Sequence, residues 1–197
     1  MSHPPATLSR TRLVEALVAT LDRAMPTCSR FAYRLVGTGA ALLHGVDLPA
    51  ADIDILVRER KAVDAFGAAL SEFRCVDEPA WLPDSKQYYG NWEVRGVEVG
   101  FSTVELESDL DTIETFGRGP WEHFVHLPCG SHEVPTVSLE LRLITEVCRG
   151  RAERYGPLIE HLRTKGCDLG LIHRGLVTRG QPEEVREQVM RRLRRFP

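Results

Sequence analysis

Two carboxylates and a glycine turn are the residues of this sequence best placed to do chemistry. Asp52 and Asp54 sit in the run Asp52-Ile53-Asp54-Ile55-Leu56-Val57. Side chains of an extended strand alternate between faces, so both acids point to one side and Ile53 and Ile55 to the other. Neighbouring unpaired carboxylates repel, and a cation held between them relieves the repulsion. A site built only of oxygen ligands suits Mg²⁺ or Mn²⁺. Upstream, Gly37-Thr38-Gly39 follows an apolar strand end and leads into residues 40–44, which read as a short helix. Glycine permits a sharp turn and close approach of a ligand to the backbone. Free amides and the helix dipole at such a turn favour an anion, with phosphate the natural guest. Tight packing is the competing reading of Gly-Thr-Gly. Joined to Asp-x-Asp on the next strand, the phosphate reading becomes the stronger one.

A third acid would complete a metal site. In the stretch 97–104, Val97, Val99 and Phe101 share one face, and Glu98, Gly100 and Ser102 share the other. Glu98 is therefore an acid among small residues, with room for a ligand beside it. Glu93, on the preceding strand of a hairpin turning at Arg95-Gly96, is the competing candidate, and a solvated edge glutamate is the plain alternative. His123, His126, Cys129 and His132 are spaced three apart, which would gather them for zinc only on a helix. Pro128 and Gly130 forbid that helix, so a hairpin with surface histidines is expected.

The elements that must position these residues follow from periodicity. Residues 8–25 repeat apolar side chains at helical spacing and are expected to stop at Pro26. Residues 1–7 carry two prolines and are expected to fray. A strand is expected over 31–36, a helix over 58–73 with Val63, Phe66, Leu70 and Phe73 as its stripe, and a loop over 77–86. Leu110, Ile113 and Phe116 suggest a short helix. Ser138 is expected to cap a helix ending at Cys148. Two more helices are expected over 153–164 and 181–195, joined by a loop-rich link over 166–180. Strands in the first two-thirds and helices at the end predict an α+β (α/β) fold. The predicted division is a core of residues 1–137 and a helical region, 138–197, packed on it.

Composition narrows the function classes. The chain has 197 residues, 43% of them hydrophobic, and a formal net charge of -3, which gives no whole-molecule argument for nucleic acid. The arginines Arg186, Arg191, Arg192, Arg194 and Arg195 read first as a solvated helix face; contact with a phosphate backbone is the lesser reading. No apolar run is long enough to span a membrane, and residues 1–12 lack the pattern of a secretory signal. Five scattered cysteines without Cys-x-x-Cys fit reduced thiols in a cytoplasmic protein.

Taken together, Val36-Gly37-Thr38, the segment Ala41 to Gly45, and Asp52-Ile53-Asp54 followed by Ile55 to Val57 resemble the DNA polymerase β-like nucleotidyltransferase superfamily. The spacing is most similar to small stand-alone bacterial members, including nucleotidyltransferase-like toxins and aminoglycoside nucleotidyltransferases. The run from Val134 through Glu140 to Arg149-Gly150-Arg151 adds to the likeness, which covers about residues 30–151. The resemblance implies a mixed sheet flanked by helices and metal-dependent transfer of an NMP from an NTP to a hydroxyl. It implies that Asp52, Asp54 and Glu98 hold Mg²⁺ or Mn²⁺, with Gly37 and Thr38, in the turn that ends at Gly39, contacting the triphosphate. As partners it implies an NTP and an acceptor that is a small molecule, a protein or tRNA, with no membrane and with scope for a homo-oligomer. Glu146 stands where many relatives carry a phosphate-binding lysine, with Arg142, Arg149 or Arg151 as substitutes. That departure supports an alternative, a catalytically impaired member serving as a nucleotide-binding or regulatory module.

Overall fold

A computed structural model describes residues 7–106 and 113–194. Leu110, Arg195 and the stretch 1–6, to which helix, basic-face and fraying expectations attach, lie outside them. The described residues form a mixed seven-stranded sheet of order β3-β4-β5-β2-β1-β7-β6. Its strands are β1 (Tyr33–Val36), β2 (Ile53–Val57), β3 (Arg74–Leu82), β4 (Gln87–Val94), β5 (Val97–Val104), β6 (Phe124–Cys129) and β7 (His132–Val137). The helices are α1 (Arg10–Cys28), α2 (Gly37–Leu43), α3 (Arg60–Ala69), α4 (Gly119–Glu122), α5 (Leu139–Cys148), α6 (Ala152–Lys165), α7 (Leu169–Thr178) and α8 (Glu183–Leu193). The class is α+β, with a mixed sheet flanked by helices and a helical C-terminal part, as the sequence predicts.

Strand β2 lies at the centre, antiparallel to β1 and parallel to β5. Ile53, Ile55 and Val57 are buried in a core shared with Leu13, Leu17 and Leu21 of α1 and Val63 and Phe66 of α3. Burying those branched side chains, at roughly 1.5–3 kcal/mol each, fixes the register and so fixes the face on which Asp52 and Asp54 emerge. A second apolar cluster joins α5 to α8 with Ala41, Val46 and Leu48 from the segment after the glycine turn. The helical region is thereby packed onto the part of the core that carries the turn.

Three local expectations need correction. Helix α1 runs through Pro26 to Cys28. Placed in the last turn, proline removes a single intrahelical bond, and the cap still closes through the Ser29 amide on the Met25 carbonyl, 3.2 Å. Residues 77–82 form the end of β3 rather than a loop. Pro79 is tolerated because β3 is an outermost strand whose register shifts between Asp77 and Ala80. Helix α7 occupies most of the expected link 166–180. Its Gly175 serves packing: a Cβ there would lie 2.4 Å from Ile144 Cδ1 of α5. Asp168 caps it by accepting from the Leu171 amide, 2.8 Å.

The expected hairpin at Arg95-Gly96 forms, with both residues at positive φ (55° and 72°). The histidine-bearing hairpin forms too, as β6 and β7, with His132 against Asp22 at 2.7 Å. Ser138 occupies the N-cap of α5, but its side chain makes no capping bond.

Candidate active site

The glycine turn and the acidic strand touch. Gly37 has φ +70°, and a Cβ there would lie 2.5 Å from Asp54 Oδ2. Only glycine combines that left-handed backbone with so close an approach. The contact follows from pairing, because Val36 at the end of β1 is the register partner of Asp54. Gly39 plays a different part: a Cβ there would sit 3.3 Å from Leu13 Cδ1 and 3.6 Å from the Asp52 carbonyl. It lets α1 close over the turn. Thr38 is buried, and its Oγ1 accepts from Arg142 Nη2 at 3.1 Å and from Arg154 Nη1 at 3.2 Å.

A pocket of about 280 Å³ opens at this turn, lined by Gly37, Thr38 and Asp54 on one side and Arg142, Arg149 and Arg154 on the other. Asp54 lies at its floor. Burial, then the charges of Asp52 and Glu114, push its carboxyl up to about 7, against the pull of Arg142 and Arg149. The pocket is open, so water tempers that rise. Asp52, just before β2 and outside the pocket lining, is raised by partial desolvation and by the charge of Glu98. Together they form an acid pair short of positive charge.

The basic wall is built from α5 and the start of α6. Arg142 is buried and binds Glu114 at 2.5 Å and Glu146, one helical turn on. Burial pulls its pKa down, but Glu114 and Glu146 more than offset this and raise it. Glu146, with no exposed surface, also takes Arg151, Nε to Oε2, at 2.6 Å. Glu146 is therefore the counter-ion that holds two arginines in register beside the turn. The Arg149 side chain makes no hydrogen bond or ion pair among the described residues. Burial lowers its pKa, and Arg151 and Arg142 add to the fall.

Register places Glu98 next to the acid pair. Ile53 pairs with Val99 and Asp54 with Gly100 across β2 and β5, so Glu98 stands beside Asp52 on the same face. Glu93 faces Glu98 from β4, one strand farther out, and is held by Arg74 at 2.8 Å. Glu98 is exposed and accepts from Asn91 Nδ2 at 3.0 Å. Among the described residues no group of three or more His, Cys, Asp or Glu side chains gathers to hold a metal.

Tyr89 fills the place between the strands. A Cβ on Gly100 would lie 2.8–2.9 Å from its ring carbon Cε2 and its hydroxyl. Burial, then Asp54, Asp77, Asp52 and Glu98, push that phenol far up, so it stays a protonated donor among acids. Tyr89, Glu114 and Arg154 escape a reading of the sequence. Only the arginine run after α5 hinted at the last.

The acid pair fits a hard divalent cation as a two-carboxylate site completed by substrate phosphates and water, the usual mode for Mg²⁺. What fits such an ion is Asp54 itself, an under-compensated carboxylate lining a polar pocket.

No family model matches the sequence, and no curated protein is significantly similar to it. Solved structures are similar in fold. A candidate nucleotidyltransferase from Thermotoga maritima superposes with a TM-score of 0.55 at 20% identity, over 82% of this chain and 99% of that one. An antigenic nucleotidyltransferase-like protein from Paracoccidioides brasiliensis gives 0.50 at 14% identity, over 94% and 95%. The fold is thus nucleotidyltransferase-like.

Proposed function

We propose that this chain is a metal-dependent nucleotidyltransferase, moving an NMP from an NTP to a hydroxyl of an acceptor. The motif spacing favours the small stand-alone bacterial type. The observation that carries the reading is the contact of Gly37 with Asp54 across a pocket faced by Arg142, Arg149 and Arg154. One pocket thus presents an acid floor for a cation and an arginine wall for phosphate oxygens.

Asp52 and Asp54 would hold Mg²⁺ or Mn²⁺, and Glu98, beside Asp52, is the candidate for the third carboxylate. When bound, such an ion neutralises charge on the phosphates and lowers the pKa of an attacking hydroxyl. The chain's own groups do the positioning. Arg149 and Arg154 offer guanidinium donors to the triphosphate, Arg142 keeps the Thr38 hydroxyl in place, and Gly37 lets the phosphates approach the backbone.

A nucleotide-binding module without transfer is the second reading, favoured by the hydrogen bond that ties Glu98 to Asn91 away from a three-acid cluster. Calorimetry with each NTP and Mg²⁺ tests the site. Binding is expected for the wild type, and is lost on adding a chelator or in Asp52→Asn/Asp54→Asn. Equal binding by both proteins overturns the metal assignment. Pyrophosphate release across a broad acceptor panel then separates transfer from binding alone.

A further inference from the structure

A second cleft, of about 470 Å³, adjoins the candidate active site. The two share Val104 and Thr115, and β2 runs from one into the other, with Asp54 in the first and Leu56, Val57 and Arg58 in the second. Arg58, the residue after β2, lies four positions beyond Asp54, about 13 Å along the backbone, part of which the arginine's own length spans.

The cleft holds an excess of positive charge. The exposed Arg58 guanidinium stacks on the Trp121 ring, 4.4 Å from its centroid, and makes no hydrogen bond or ion pair among the described residues. A stacked guanidinium is fixed by its face while the N–H groups at its edge stay available, the arrangement that suits paired hydrogen bonds to an oxyanion. Arg34 lies beneath, against Trp121 (5.0 Å) and Phe124 (3.5 Å), and spends its donors on two carbonyls: Pro120 O at 3.1 Å and Tyr33 O at 2.7 Å. Burial, then the charge of Arg58, pulls its pKa down, and among the described residues neither arginine has a carboxylate partner. The acid of the cleft lining, Glu122, is taken by Arg118 at 2.6 Å.

We infer that this cleft is the acceptor arm of the site, and that Arg58, propped on Trp121 above Arg34, binds a phosphate monoester carried by the acceptor. The assignment to an acceptor rests on the nucleotidyltransferase reading; the phosphate subsite itself does not. A dianion fits because the free edge of the Arg58 guanidinium offers paired donors, and Arg34, packed on the same Trp121, adds positive charge nearby. The acceptor hydroxyl would then lie toward Asp54, along the shared wall of Val104 and Thr115.

The test is a titration of the full-length chain, without NTP or metal, followed through arginine Nε–H and tryptophan indole N–H resonances. Methyl phosphate is expected to shift the Arg58 and Trp121 signals saturably. Dimethyl phosphate should bind more weakly, and neutral trimethyl phosphate should leave them in place. Arg58→Gln, at an exposed position that should keep its melting temperature, is expected to weaken binding about tenfold or more. Arg58→Lys should retain part of it, and Asp52→Asn/Asp54→Asn all of it. Survival of the shifts in Arg58→Gln, their loss in Arg149→Gln instead, or equal response to the diester would each overturn the proposal. Failure of the nucleotidyltransferase reading would appear separately, as absent Mg²⁺-dependent NTP binding with this titration intact.

Discussion

The two sides of the candidate active site are held by opposite strategies. On the strand side, Asp52 and Asp54 are fixed by the apolar residues between and beyond them, and their charge is only partly compensated. On the helix side, Arg142 and Arg151 are fixed by charge itself, through buried Glu146 and Glu114. The acid side is preorganised by packing and waits for a cation. The basic side is already neutralised at its root and offers only its outer guanidiniums, Arg149 and Arg154. The lesson concerns Glu146: its ion pairs with Arg142 and Arg151 anchor the arginine wall.

The largest effect should come from breaking that anchor. Glu146→Lys would set a third cation between Arg142 and Arg151, where removing one partner of a buried pair alone costs about 3–5 kcal/mol. Chemical denaturation should show at least that loss, with no gain in NTP affinity. A stable variant that binds NTP more tightly would mean that Glu146 merely replaces a lysine.

On the acid side, Gly37→Ala combines a left-handed backbone with a clash against Asp54 Oδ2. A loss of about 1–3 kcal/mol is expected, together with weakened Mg²⁺-dependent binding. Gly39→Ala meets only the flexible end of Leu13 and should cost less.

Asp54 sharpens the contrast through pH. Its native carboxyl titrates near 7, above the ordinary carboxylate value, so ionisation disfavours the folded state. In metal-free buffer the wild type should lose stability as pH rises from about 4 through 7, by on the order of 1–3 kcal/mol. Asp54→Asn does not titrate, so its advantage over the wild type should be larger at pH 8 than at pH 5. Melts with a chelator present measure this, and a pH-independent difference would refute it. The smallest effect is expected from Arg149→Gln: unchanged melting, because Arg149 has no ion pair among the described residues to lose, and roughly tenfold weaker NTP binding.

The sequence alone determined the acid side. Asp-x-Asp among branched apolar residues needs only the period-two alternation of a strand, and the glycine turn needs only local backbone rules. The α+β class and the β4–β5 hairpin were legible for the same reason. Helix α7 and the end of β3 were not, because Gly175 and Pro79 carry loop signals that helix packing and an edge position override. The basic side was beyond local reading altogether. Arg142 and Arg154 meet Thr38 across 104 and 116 residues of chain. Tyr89 reaches Gly100 only through strand register. Local spacing decides which face a side chain takes; only the packing of α5 and α6 on the turn decided which charges the acids would face.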